Sequence, residues 1–179
     1  MMDAFEYITE SAKRSVMAVD QGAVRELIDS IISARTVFIY GSGRSGLSGQ
    51  SFGVRLVQLG LDVHFVGDMT TPIITDKDVT ILISNTGNTM SVVQTANIAS
   101  RVGSKVISVT GHADTKLTIA SDVVVHLPMT KDKEKSKYAP LGTVFEQASS
   151  LFFDSIIPTI MERLGLTESD MRKRHAIWV

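Results

Sequence analysis

Apolar positions along this chain switch repeatedly between two spacings, and the switching predicts strands and helices in alternation. Residues 3–34 carry helical stripes, Phe5, Ile8, Ala12 and Val16 on one, and Val24, Leu27, Ile28 and Ile31 on another. Asp20-Gln21-Gly22 interrupts them, which predicts two helices or one bent one. Thr36-Val37-Phe38-Ile39-Tyr40 reads as a first strand that ends in a glycine and serine turn. From Ser45 the period becomes helical again, with Phe52, Leu56 and Leu59 at i, i+4 and i+7 and Gly60 as a C-terminal cap. Asp62–Gly67 reads as a second strand. Val79–Ser84 is a third, almost continuously apolar, as a strand buried on both faces of a parallel sheet must be.

The alternation continues with a helix over 89–102, a strand Lys105–Thr110, a helical turn Leu117–Ala120 and a fifth strand Val123–Leu127 stopped by Pro128. Residues 130–138 are charged and without period, which predicts a solvated loop or, in a sharper reading, a lid over a phosphate site. A long helix over 143–164 is apolar on more than one face and contains Pro158, which should kink or break it. Thr167-Glu168-Ser169-Asp170 opens a short last helix. Strand–helix alternation of this kind gives an α/β fold: a three-layer α-β-α sandwich around a five-stranded parallel sheet, one domain over residues 1–179. The excess apolar surface of the long helix predicts burial against a second copy, hence a homo-oligomer, at least a dimer.

Composition narrows the function classes. The 179 residues are 44% hydrophobic and 21% charged, with a net charge of −1. No basic field argues for nucleic acid, and no apolar run reaches the roughly 20 residues that span a bilayer. The N-terminus lacks the basic and apolar regions of a signal peptide. Cysteine is absent, which excludes thiol catalysis and Cys-ligated zinc and fits a cytoplasmic protein. The four histidines, His64, His112, His126 and His175, have no metal-ligand spacing, so no metal is expected; His64 and His126 fall inside strands and read as structural.

Two strands end in small polar loops that lead into helices. Gly41-Ser42-Gly43-Arg44-Ser45-Gly46 offers free helix-start N–H groups, with Arg44 and Ser45 adding a cation and a hydroxyl. Ser84, Asn85, Thr86, Gly87, Asn88 and Thr89 repeat the arrangement after the third strand and suit a phosphate dianion better than a simple helix cap. The first loop also spells G-x-G-x-x-G, and Asp68 stands where a dinucleotide fold would want its ribose-binding acid. Thr143-x-x-Glu146 is either a capping box or a catalytic carboxylate at a helix start. Arg174-His175 is either a frayed basic terminus or a tail that reaches a neighbouring subunit's crevice, with Arg174 on an anionic substrate and His175 shuttling protons.

In their order along the chain, these motifs resemble the 6-phospho-3-hexuloisomerases of the sugar isomerase (SIS) fold. The resemblance rests on Gly41–Gly46, Ser84–Thr89, Pro140-Leu141-Gly142-Thr143-x-Phe145-Glu146 and Met171-x-x-Arg174-His175-Ala176, and covers essentially the whole chain. It implies a flavodoxin-like doubly wound sheet, tetrameric assembly as a dimer of dimers, and conversion of D-arabino-3-hexulose 6-phosphate to fructose 6-phosphate without a cofactor. It further implies a place in formaldehyde fixation by the ribulose monophosphate route, Glu146 as the proton acceptor, substrate contacts from Ser45 and Ser84–Thr89, and His175 close to the site. A non-catalytic sugar-phosphate-binding SIS module and another SIS sugar-phosphate isomerase are the alternatives. The chain departs from the family at two places. The phosphate loop reads Ser84-Asn85-Thr86-Gly87-Asn88-Thr89 in place of the usual Ser-Gly-Ser-Gly-Glu-Thr, and Ile177-Trp178-Val179 replace the usual Asn-Leu-Glu after Arg-His-Ala.

Overall fold

The structure, a computed structural model, describes residues 2–130 and 133–176. Within them the chain forms five parallel strands, β1 (Val37–Gly41), β2 (Val63–Phe65), β3 (Val79–Ser84), β4 (Lys105–Thr110) and β5 (Val123–His126). They lie in the order β2-β1-β3-β4-β5. Successive connections run outward from β1 in opposite directions, to β2 on one side and through β3 to β5 on the other. The loops after β1 and β3 therefore flank the switch point of a doubly wound sheet, where such folds bind ligands.

Helices cover both faces. Odd-numbered strand residues (Ile39, Ile81, Ile83, Ile107, Val109) pack into the larger core beneath α2 (Gln21–Ser33), α3 (Arg44–Gln58) and α7 (Thr143–Arg163). Even-numbered Leu82 and Val106 meet α4 (Met90–Val102) and α5 (Lys116–Ile119) in a smaller cluster. The expected three-layer sandwich is thus present, with α1 (Met2–Met17) packed outside α7. The first helical region is two helices, because the Asp20 carboxylate accepts the Ala23 N–H and starts α2 afresh. Gly60, at φ +86, closes α3 as expected, the N–H groups of Gly60 and Leu61 turning back to the carbonyls of Val57 and Leu56. The second strand is three residues rather than six, since an edge strand pairs on one side only.

Three expectations need correction. Pro158 does not break α7, which runs through it to Arg163. Both Pro158 and Asp154, whose carbonyl loses its donor, face solvent, so water can satisfy that group. Much of the apolar girth of α7 is also covered without a second subunit. Phe145, Phe152, Phe153, Ile156 and Ile160 are buried within this chain, between the sheet, α1 and α3. Nor is the charged segment loop throughout. Its described part contains α6 (Lys135–Tyr138), and Tyr138 packs on Tyr7 of α1 with ring centroids 5.8 Å apart. Lys131 and Asp132 lie outside the described residues, as do Ile177, Trp178 and Val179.

At the amino edge of the sheet, Asp78 is fully buried and ties three segments together. Its carboxylate accepts two bonds from Arg35 (2.8 and 2.9 Å) and one each from the backbone N–H and hydroxyl of Thr75. Burial pushes this carboxyl up, but the bonds from Arg35 and Thr75 outweigh it and hold the group below the usual carboxylate range. The stability it contributes is therefore full above the unfolded-state value of about 4 and fades as pH falls through the lower folded value. Asp78→Ala should cost about 2–3 kcal/mol in urea unfolding at neutral pH, because the Thr75 N–H and Arg35 lose their partner. The gap between variant and wild type should close as the pH drops below about 4; a gap unchanged across that range would contradict the account.

Candidate active site

α3 and α7 run parallel, side by side, and three contacts fix their register. Arg44 Nε donates to Glu146 Oε2 at 2.5 Å, the hydroxyls of Ser48 and Ser150 lie 3.0 Å apart, and the rings of Phe52 and Phe153 stack with centroids 4.3 Å apart. Both helices therefore begin at the carboxyl edge of the sheet. α3 can start so close to β1 because residue 46 is glycine: a Cβ there would stand 2.4 Å from the Gly41 carbonyl oxygen. Arg44 is largely exposed and Glu146 is 15% exposed. An open pocket of about 240 Å³ lies beside them, lined by Arg44, Ser48, Glu146 and Ser150. Ser45, half-buried in the first turn of α3, stands at the same edge.

The capping box expected at Thr143 and Glu146 does not form. Gly142 occupies the N-cap, one residue earlier than the sequence suggested, and the Thr143 hydroxyl donates to the Pro140 carbonyl at 2.7 Å. The Glu146 side chain is thereby released from capping its own helix. Its Oε1 lies beside Gly142, 2.9 Å from where a Cβ on that residue would stand. Leu141, almost fully exposed, holds φ +58 immediately before this start, a conformation that a side chain adopts at some cost. The sequence reading took Leu141 and Gly142 as part of a family motif and gave them no part in setting the start of α7.

The loop after β3 is braced from below. Ser84 Oγ accepts the Gly87 N–H at 3.2 Å and lies 3.0 Å from the Thr89 hydroxyl. Gly87 has φ +62, and a Cβ there would stand 2.3 Å from Thr115 Oγ1, in the turn leading to α5. The Asn88 side chain is spent on the loop itself, donating to Thr86 O at 3.2 Å and accepting from the Lys116 N–H at 3.4 Å. Asn85 lies on the other side, with Nδ2 3.7 Å from the same Cβ position on Gly142 that Glu146 Oε1 approaches. The structure thus brings Arg44, Ser45, Ser84, Asn85, Thr86, Gly87, Asn88, Thr89 and Glu146 to one edge of the sheet.

Three helix starts at this edge are left open. α3, α4 and α7 begin at Gly43, Thr89 and Gly142 with no side-chain cap, so their first-turn N–H groups keep their positive partial charge. By contrast α2, α5 and α8 (Glu168–Lys173) are each closed by a side chain, Asp20, Thr115 and Thr167. Arg174 and His175 do not join the cluster within the chain. The Arg174 guanidinium packs on Gly60, at the far end of α3, and His175 lines a separate pocket with Arg55, Gln58 and Met171. The 15-residue length of α3, roughly 22 Å, separates them from Arg44. His64 pairs with Asp62 at 3.2 Å and His126 Nε2 lies 3.4 Å from the Gly111 carbonyl. Asp68 lines a smaller cavity of about 110 Å³, with Gly41 and Gly46 of the first loop. Among the described residues no group of three acidic or histidine side chains is placed to hold a metal ion, and no helix is long and apolar enough to cross a membrane.

Comparison with known proteins gives the family. The model of the SIS domain family matches residues 30–151, from the end of α2 to the middle of α7. The chain belongs to the SIS domain family. Its relatives include the 3-hexulose-6-phosphate isomerase of Methanocaldococcus jannaschii, 42% identical over 83% of this chain and 80% of that protein. The protein of the same name from Bacillus subtilis is 32% identical over 98% of both chains. A crystal structure from Methanococcus jannaschii, from which a 3-hexulose-6-phosphate isomerase function was inferred, superposes with a TM-score of 0.85 at 34% identity. It covers 96% of this chain and 98% of its own. The chain is accordingly an enzyme of this isomerase family.

Bracing from Thr115 makes the β3 loop sensitive at one atom. Gly87→Ala should destabilise the protein by about 1–3 kcal/mol in denaturant titrations, through the left-handed backbone and the clash with Thr115. A variant as stable as wild type would show that the loop is not held against α5.

Proposed function

We propose that this enzyme isomerises D-arabino-3-hexulose 6-phosphate to fructose 6-phosphate through a cis-enediol, with Glu146 as the base. The observation that carries the reading is the convergence of uncapped helix starts on a single accessible carboxylate. The open N–H groups of α4, with the hydroxyls of Ser84, Thr86 and Thr89, suit a phosphate dianion. The names of the relatives supply the substrate class. Binding the ester at one end of the sugar fixes the reacting carbons at the other, which is how remote binding energy serves the chemical step.

The chemistry then needs few parts. Glu146 takes the proton from C2 of the 3-ketose, the electron pair forms the C2–C3 double bond, and O3 gains the charge. Protonation of O3 gives the enediol. Loss of the proton from O2 restores a carbonyl at C2, and C3 receives a proton from Glu146 on the same face. Arg44, bonded to Glu146 at rest, orients the carboxylate towards the crevice. No step calls for a cofactor. Arg174 and His175 belong to this reading only as contributions from a neighbouring subunit, since their own chain holds them at the opposite end of α3. A homo-oligomer, a dimer or a dimer of dimers, is part of the proposal for that reason, as are a cytoplasmic location and a role in the ribulose monophosphate route.

The test is isotope exchange. In deuterated water the wild type should incorporate solvent hydrogen into the hexulose phosphate and form fructose 6-phosphate. Glu146→Gln should lower both by about a thousandfold, while its thermal midpoint stays close to that of the wild type. Exchange at the wild-type rate in the variant would remove Glu146 from the role of base.

A further inference from the structure

Asn85 differs from every other polar residue of the β3 loop. The side chains of Ser84, Thr86, Asn88 and Thr89 each have at least one hydrogen bond within the loop, with one another or with the turn before α5. The Asn85 carboxamide takes part in no hydrogen bond among the described residues. Its Oδ1 is fully buried without a donor, pressed to 2.4 Å from where a Cβ on Gly111 would stand. The backbone holds it there, since the Asn85 carbonyl accepts the Gly111 N–H at 3.0 Å. Its Nδ2 lies on the Glu146 side, where one point beside Gly142 is 3.7 Å from Nδ2 and 2.9 Å from Glu146 Oε1. Whichever way the amide is turned, one polar end is buried unpaired and the other stands near the carboxylate.

Burying a carbonyl oxygen without a donor costs stability, and folded proteins keep such groups where function requires them. Nothing in the packing rewards this one: alanine would fit the same backbone and remove the orphan. The enediolate of the reaction just proposed needs a donor within reach of a base-bearing carbon. Arg44 Nε is engaged with Glu146, and His175 of the same chain is at the far end of α3. We infer that Asn85 is that donor. Its Nδ2 binds the sugar oxygen at C3, the carbonyl oxygen of the reactant, and stabilises the charge that develops there as Glu146 takes the C2 proton. Asn85 thus serves the reacting carbons, and the phosphate is left to the rest of the loop. The inference rests on the isomerase reading above.

The test separates function from folding. Asn85→Ala should unfold at or above the wild-type temperature, because the orphaned oxygen is gone. Its kcat on 3-hexulose 6-phosphate should fall by about a hundredfold, with KM within threefold of wild type. Asn85→Asp, of the same shape but without the donor, should lose at least as much. A kcat within threefold of wild type in both variants overturns the inference and leaves Glu146 and the isomerase reading intact. So does a loss of activity in Asn85→Ala that only tracks a lowered unfolding temperature. If the wild type leaves the hexulose phosphate unchanged, the isomerase reading itself fails. Asn85 is then judged by calorimetric titration of fructose 6-phosphate: tenfold weaker binding in Asn85→Ala supports a contact to the sugar, and equal affinity overturns it.

Discussion

Two helices that start at one edge of a sheet and run side by side in the same direction bring their positive ends together, an arrangement that asks for negative charge. α3 and α7 are such a pair, held in register by Arg44 with Glu146, Ser48 with Ser150 and Phe52 with Phe153. α4 begins beside them across β3. Glu146 supplies part of the compensating charge, and the rest is left to whatever binds. Each end carries roughly half an elementary charge when uncapped, so leaving several open favours an anionic ligand over water. The aromatic stack further down α3 and α7 makes the pairing rigid, and the rigidity places a carboxylate that no longer serves as a cap.

The architecture was legible in the sequence because its causes are local. Val79–Ser84 could only be a strand buried on both faces, and Gly60 ends its helix with positive φ. The polar loops were legible for the same reason: glycine, serine and threonine after a strand announce a turn with free donors. What failed depended on contacts distant in sequence. The surplus apolar surface of α7 looked like an interface until α1, more than a hundred residues earlier, proved to cover it. Pro158 looked like a break, but α7 continues through it, and both Pro158 and Asp154 lie on the exposed face where solvent can take up the freed carbonyl. The Thr143–Glu146 pattern fitted a capping box by spacing alone, and a one-residue shift of the helix start to Gly142 abolished it.

The same division holds at the site. Sequence alone picked out Arg44, Ser45, Glu146 and the whole of Ser84–Thr89, but treated the loop as one phosphate cradle. Side-chain bonding divides it. Asn88 is absorbed into the loop and Asn85 is left without a bond, a distinction that no spacing encodes. Arg174 and His175 mark the opposite case. The motif is clear in the sequence, while the fold of one chain holds it against Gly60 and the C-terminal end of α3, so its part in the chemistry depends on how copies assemble.

A crystal structure of the enzyme with fructose 6-phosphate would test the central claim most directly. The account places the phosphorus among the first N–H groups of α4 and the hydroxyls of Ser84 and Thr89, with a reacting carbon of the sugar within about 3.5 Å of a Glu146 oxygen. A phosphate seated elsewhere, for example between Arg55 and Arg172, or a sugar whose C2 and C3 lie beyond reach of Glu146, would contradict it.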